Sequence, residues 1–224
     1  MATGSVDRQA THGGPPPASP GRGMARGPWE LDTEAMSADV LDFVRHWFPC
    51  VTPTDDPETL VAPLLAFNRA LDAAEQWEQD DVVVLVVEQQ GVWWWGRRTD
   101  GGYAERPSTD GSPWRSVELR SELFWLHHAA FEALWSSPAM RSAAGLDAVA
   151  VGRLLGVSRP LPCSPWHWPG DRTTLFTCGP ALVMVCEDRG GYWIVASART
   201  EADLGLVDGL DLVWDEADTR VAPL

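Results

Sequence analysis

The segment from Val82 to Gly96 reads Val-Val-Val-Leu-Val-Val-Glu-Gln-Gln-Gly-Val-Trp-Trp-Trp-Gly. A mostly β-branched apolar run, a short polar stretch closed by Gly91, and an aromatic return describe two strands of a hairpin. Side chains of this kind pack well on a pleated surface, and Gly supplies the turn. A chain containing this segment must build a sheet around it. Nothing in it is catalytic.

Composition sets the frame. The 224 residues are 45% hydrophobic and include 13 Trp, enough for one well-formed core, and a single domain over residues 28–224 is expected. There are 32 acidic residues against 17 basic ones, every basic residue being Arg, and the net charge is -15. Such a surface repels phosphate backbones, which argues against nucleic-acid binding and fits either plain solubility or a basic protein partner. Cys50, Cys163, Cys178 and Cys186 form no CxxC pair and have no His at ligand spacing, so buried free thiols in a reducing cytosol are expected, with no metal and no cofactor. The longest apolar run, Val82 to Val87, is far too short to span a bilayer, and no signal-like stretch opens the chain. These features imply a cytoplasmic protein with no membrane partner, expected to be a monomer.

Residues 1–27 are rich in Gly, Pro, Ser and Ala and read as a disordered tail, with Met24 a second candidate start. Ser37 to Phe48 carries Val40, Leu41, Val44 and Trp47 at helical spacing, and a second helix is expected from near Pro63, with Leu64, Phe67 and Leu71 on one face. Thr99 to Pro113 reads as a loop, Ser116 to Trp135 as the strongest helix, and Leu146 to Leu155 as a helix with Gly156 at a left-handed cap. After the proline-rich stretch Pro160 to Pro169, Ala181 to Cys186 and Tyr192 to Ala198 form a second hairpin. Thr200 and Asp203 then open a short helix, and Leu210 to Trp214 reads as a last strand. The expected fold is α+β: a mostly antiparallel sheet in which the two hairpins are neighbours, packed by several helices.

Few residues suggest chemistry. Glu88-Gln89-Gln90-Gly91 is either a binding edge or a polar turn, and Trp93, Trp94 and Trp95 alternate faces, serving as core or as partner contacts. His128 and Glu132 stand four apart on the long helix, where a surface ion pair is the plain reading because the metalloprotease pattern His-Glu-x-x-His is absent. No nucleophile elbow, phosphate loop or dinucleotide fingerprint occurs, so the chain is not expected to be an enzyme. Two acidic tracts remain. Asp72, Glu75, Glu78, Asp80, Asp81 and Glu88 lie between Arg69 and Arg97 with no basic residue among them. Glu201, Asp203, Asp208, Asp211, Asp215, Glu216 and Asp218 do the same between Arg199 and Arg220. Such runs form solvated faces, or the docking surface for a basic partner.

The strand, the Glu88-Gln89-Gln90-Gly91 turn and the return closing on Trp95-Gly96 resemble the "ENQGV…WG" signature of the bacterial SUKH superfamily, with Gln89 at the place of its Asn. Trp114, and Ser121 to Trp135 read against the family's "W…L..FL……FEA" helix, extend the resemblance to about half the chain. It implies an α+β domain that acts by binding proteins, immunity to a secreted toxin being the commonest role, and it carries over no catalytic residue. The rival expectations are a regulatory or scaffold domain of the same fold, or an enzyme with an unfamiliar site. The partner-binding residues expected are Glu75, Glu78, Asp80 and Asp81, then Gln89 and Gln90, facing a basic toxin domain.

Overall fold

The computed structural model of the protein describes residues 40–52, 54–109, 111–118 and 120–215. The expectations for the tail, Met24, Ser37, Leu119, Glu216 and Asp218 therefore lie outside the described residues. Helix α1 (Val40–Trp47) buries Val40 and Val44, as its periodicity requires. A shorter helix, α2 (Pro57–Val61), begins where the Asp56 carboxylate accepts the Thr59 N–H at 2.8 Å and Pro57 occupies the first turn.

The helix expected from Pro63 does not form. A 3-10 turn at Ala62–Leu64 gives way to strand β1 (Asn68–Ala70). The cause is tertiary. Glu132 takes the backbone N–H groups of Ala66, Phe67 and Asn68, and Asn68–Ala70 pairs with Val86–Glu88, so these residues are committed to a sheet edge.

The first hairpin forms as expected. Strands β2 (Glu78–Gln79), β3 (Val82–Glu88), β4 (Trp93–Arg98), β5 (Tyr103–Pro107) and β6 (Arg115–Glu118) join β1 in one antiparallel sheet of order β1-β3-β4-β5-β6, with β2 beside β3. Val87 faces Trp94 and Val82 faces Arg98, with a register shift between Val84 and Val86. There the chains come close: a Cβ on Gly96 would stand 2.5 Å from the Val83 carbonyl oxygen, so only Gly fits. The expected loop from Thr99 to Pro113 contains β5, and Ser116–Glu118, expected to be helical, lies in β6 because its backbone pairs with β5.

The second hairpin belongs to a different sheet. Strands β7 (Ala139–Leu146), β8 (Arg159–Pro160), β9 (Arg172–Cys178), β10 (Ala181–Asp188) and β11 (Gly191–Ala198) run antiparallel in the order β7-β11-β10-β9-β8. The expectation that the two hairpins are neighbours fails because each finds closer partners in its own meander, β5 beside β4 and β9 beside β10. Arg189 and Gly190 both have positive φ, giving the two-residue turn whose twist suits a hairpin. Leu210 to Trp214 is not a strand; the next residue, Asp215, donates its N–H to the Ser142 carbonyl on the β7 edge.

Between the sheets' cores runs α3 (Ser121–Ser136). Every residue from Leu123 to Leu134 is buried, so the helix is enclosed on all sides instead of showing one apolar face. Its first half, Leu123 to Ala129, packs with Val86, Trp95, Tyr103 and Val117 of the first sheet, and its second half, Ala130 to Leu134, with Leu175, Leu182, Met184 and Val195 of the second. Helix α4 (Ala148–Leu155) is capped by Asp147, and Gly156 sits in the right-handed helical region, not the expected left-handed one. Thr200 caps a 3-10 turn leading into α5 (Gly205–Asp208). The fold is α+β, and no helix among the described residues is long and apolar enough to cross a membrane.

Candidate functional site

Neighbouring strand residues point to opposite faces, and β5 places a carboxylate and a guanidinium back to back. Glu105 points inward and is fully buried; Arg106 points outward and is only 2% exposed. Each builds a different constellation.

On the outer face, the Arg106 guanidinium carbon lies 5.1 Å from the Trp94 ring centre and 5.3 Å from that of Trp114. A cation between two indoles gains from both ring quadrupoles, and Arg is suited to it because its planar head stacks. Its Nη1 also donates to Asp80 Oδ2 at 3.3 Å. Trp77 meets Trp94 edge to face at 5.5 Å, and Trp114 Nε1 donates to the Gln79 carbonyl, tying the β2 segment onto the sheet. Beneath lie Leu71, Val84 and Val87. Trp77 remains 37% exposed.

The acidic tract expected to bind a partner meets this cluster at Asp80; Glu78, paired with Val83, points to the opposite face of the sheet. Glu75 accepts from Arg69 through both oxygens and from the Asp72 N–H; these bonds, the backbone one first, lower its pKa below the usual carboxylate range. Glu78 lies in β2, and Asp80 and Asp81, with φ of 53° and 62°, form the turn into β3. Among the described residues Glu78 and Asp81 have no ion-pair partner, and the Asp80 side chain is 69% exposed. The second acidic tract is different: Arg141 holds Glu201 and Asp208, and Arg153 holds Asp211. In the second tract, too, Asp203 and Asp215 have no ion-pair partner among the described residues, and Glu201 and Asp208 share one Arg.

Gln89 and Gln90 are not part of this face. They sit at the far end of β3, about 20 Å away at the usual rise of a strand. Both are exposed, while Glu88 between strand and turn is buried and accepts the Gln90 N–H at 2.8 Å. Glu88 and Gly91, at φ 75°, thus shape the turn.

The inner constellation is denser. Glu105 Oε2 accepts Trp93 Nε1 at 3.0 Å and Trp95 Nε1 at 3.1 Å, while Oε1 accepts the His167 backbone N–H at 2.6 Å and lies 2.8 Å from His167 Nδ1. One carboxylate thereby pins the aromatic return strand to the proline-rich segment, where Trp168 stacks on Trp93 at 5.7 Å. Trp93 and Trp95 do share a face, as alternation requires. Close by, His127 stacks on Trp166 at 3.5 Å, and His128 packs among Trp95, Phe124 and Trp166.

The expected surface pair of His128 and Glu132 is not formed, because both are buried on the enclosed helix. No ring nitrogen of His127 or His128 has a hydrogen-bond partner of normal geometry among the described residues. Burial pushes His127 down to about 3, against a smaller pull from the Ser164 backbone, and drives His128 well below its usual range. Glu132 serves the backbone of residues 66–68, and burial raises its pKa despite those three donors. The free cysteines include two buried ones, with Cys186 pushed up to about 12 by burial; Cys50 is exposed, contrary to the expected burial.

Among the described residues no three His, Cys, Asp or Glu side chains gather as a metal would need. A cavity of about 270 Å3 beside α1 and α2 is lined by Leu41, Leu60, Asp55 and Glu122, with no His or Cys in its wall. Sequence reasoning missed the centre of the outer cluster. Arg106 and Trp94 become a pair only when Tyr103 to Pro107 is recognised as a strand, and the one signal was the adjacency of Glu105 and Arg106 between Gly102 and Pro107. Compared with protein-family models, with curated proteins and with solved structures, the chain matches none.

Proposed function

We propose that the protein is a non-catalytic, cytoplasmic binding domain that neutralises a basic toxin by direct contact. The observation that carries this reading is the first acidic tract. Glu78 and Asp81 are exposed and have no ion-pair partner among the described residues, on a segment that Arg106 and Trp114 hold in place. Like-signed carboxylates raise local potential and steer an oppositely charged partner.

The SUKH-like hairpin supports the reading in a second way. Its signature residues serve architecture here: Glu88 caps the turn, Gly91 takes positive φ, and Gly96 admits the neighbouring backbone. A hairpin so built is a scaffold on which surface residues can vary with the partner. The test is coexpression with basic toxin domains, beginning with any that the gene's neighbourhood encodes. Growth rescue with a stable complex between the purified proteins is the expected result; no rescue and no complex would overturn the proposal.

A further inference from the structure

We infer that residues 162–169 form a clasp that swings off the first sheet when His127 beneath it takes up a proton, while both sheets stay folded. The segment joins β8 to β9 within the second sheet, yet its middle is fastened to the first. It is anchored at both ends: the Leu161 N–H donates to the Leu175 carbonyl at 2.9 Å, and the Asp171 N–H to the Glu187 carbonyl at 2.7 Å. Between these anchors Ser164 donates from its N–H and its hydroxyl to Glu118 Oε2, at 3.3 and 3.2 Å, and His167 is bound twice to Glu105. Trp166 exchanges backbone bonds with Thr173 and lays its ring on that of His127, 3.5 Å away with the planes 7° apart.

Two properties let this segment leave without unfolding the rest. Among the described residues no strand pairing of either sheet runs through it apart from the Trp166–Thr173 bridge. Glu105 also keeps two donors when His167 departs, the indole N–H groups of Trp93 and Trp95, so its carboxylate is not left bare. What the departure changes is the surroundings of His127. Closed, the ring lies in an apolar stack that disfavours its cation, and burial holds its pKa at about 3. Open, it meets water and returns toward the ordinary imidazole value of about 6.5, so each pH unit below that value favours the open form by up to about tenfold.

The other ionisable groups around the stack do not cancel this linkage. His128, beside it on α3, is buried too, and its charge would repel that of His127. Glu118 on β6 is engaged by Ser164, Tyr103 on β5 stacks on Phe124, and Glu132 is spent on the backbone of residues 66–68. Burial keeps Cys163 and Cys186 as neutral thiols. Asp42, Arg45 and His46 of α1 are exposed, and Glu58 of α2 is partly so. His167 alone opposes opening, since its cation would be drawn to Glu105. Its side chain is 37% exposed, so water screens that attraction, whereas His127 is dry and the larger effect is its own.

The test is amide hydrogen exchange on the full chain, labelled with nitrogen-15, at pH 7.5 and 5.5 and corrected for intrinsic rates. The reporters are the amides of Ser164, Trp166 and His167, which donate to Glu118, Thr173 and Glu105, and the paired amides of β10 are the reference. The three are expected to share one opening equilibrium that is insensitive to dilute urea, unlike that of β10, and to open up to about tenfold more often at pH 5.5. His127→Phe keeps a flat ring under Trp166 without a titrating nitrogen and is expected to remove most of that rise, whereas His167→Gln is expected to keep it. Should His127→Phe not fold, the imidazole nitrogen-15 shifts of the wild type replace it, and His127 is expected to be neutral at pH 5.5 in the closed protein. The inference is overturned if the three amides exchange only together with β10, or if their opening does not change with pH. It is equally overturned if the rise survives in His127→Phe, if it vanishes in His167→Gln, or if His127 is protonated while the three amides stay protected.

Discussion

Glu105 is the residue on which most distant parts of the molecule meet. Four donors converge on its two oxygens, from Trp93, Trp95 and twice from His167; Glu105 and Trp95 are fully buried, while His167 and Trp93 are partly exposed. Removing the carboxylate orphans those donors, and each buried unsatisfied group costs about 1–3 kcal/mol. Glu105→Ala is therefore expected to lower unfolding free energy by about 3–5 kcal/mol, read by urea titration. Glu105→Gln keeps the shape but turns one acceptor into a donor facing donors, and should cost nearly as much. A change below about 1 kcal/mol in both would show that water replaces the carboxylate there. Gly96 is the second decisive residue: Gly96→Ala places a methyl against the Val83 carbonyl and is expected to cost about 2–4 kcal/mol by distorting the bulge. The sequence announced Gly96 as the end of an aromatic run and said nothing of Glu105. A lone Glu in a Gly- and Pro-flanked stretch looks solvated until tertiary pairing turns it inward.

At the scale of elements, α3 explains both what was legible and what was not. Its apolar content from Leu123 to Leu134 was plain, and so was its stop at Ser136-Ser137-Pro138. What periodicity could not tell is that the polar side of the helix is buried too, because His127, His128 and Glu132 look identical on a wet face and a dry one. Likewise β1, β5 and β7 escaped because short or mixed segments acquire strand character from their partners. The buried imidazoles have a thermodynamic consequence. They are neutral in the fold, with His127 near 3, but titrate at about 6.5 once unfolded. Below that value the unfolded chain binds more protons, so stability present above pH 6.5 is lost as pH falls toward 3, by up to about 1.4 kcal/mol per pH unit for each ring. Glu132, whose pKa is raised, acts oppositely above about 4.5. Unfolding free energies of the wild type and of His127→Phe, measured at pH 7.5 and 5.5, are expected to diverge, the variant showing the shallower decline. Parallel declines would mean His127 is protonated in the folded protein.

For the molecule as a whole, the question is how a net charge of -15 is distributed. In the second tract Glu201, Asp208 and Asp211 are tied to Arg141 and Arg153, whereas in the first Glu78 and Asp81 have no ion-pair partner among the described residues. Charge steering acts on encounter more than on the final contact, and it is screened over about 8 Å at physiological salt. If a basic toxin is the partner, its association rate should fall as salt rises, while dissociation changes little. Neutralising the first tract through Glu78→Gln and Asp81→Asn should slow association at low salt and flatten its salt dependence. Neutralising Glu201, Asp208 and Asp211 should do much less to association, and should instead cost some stability by leaving Arg141 and Arg153 unpaired. Stopped-flow or surface kinetics at low and high salt separate these outcomes. If neither set of substitutions slows association and salt leaves the rate unchanged, the acidic face is a solvated surface and toxin recognition must lie elsewhere, with the exposed Gln89–Gln90 turn at the opposite end of β3 the next place to test.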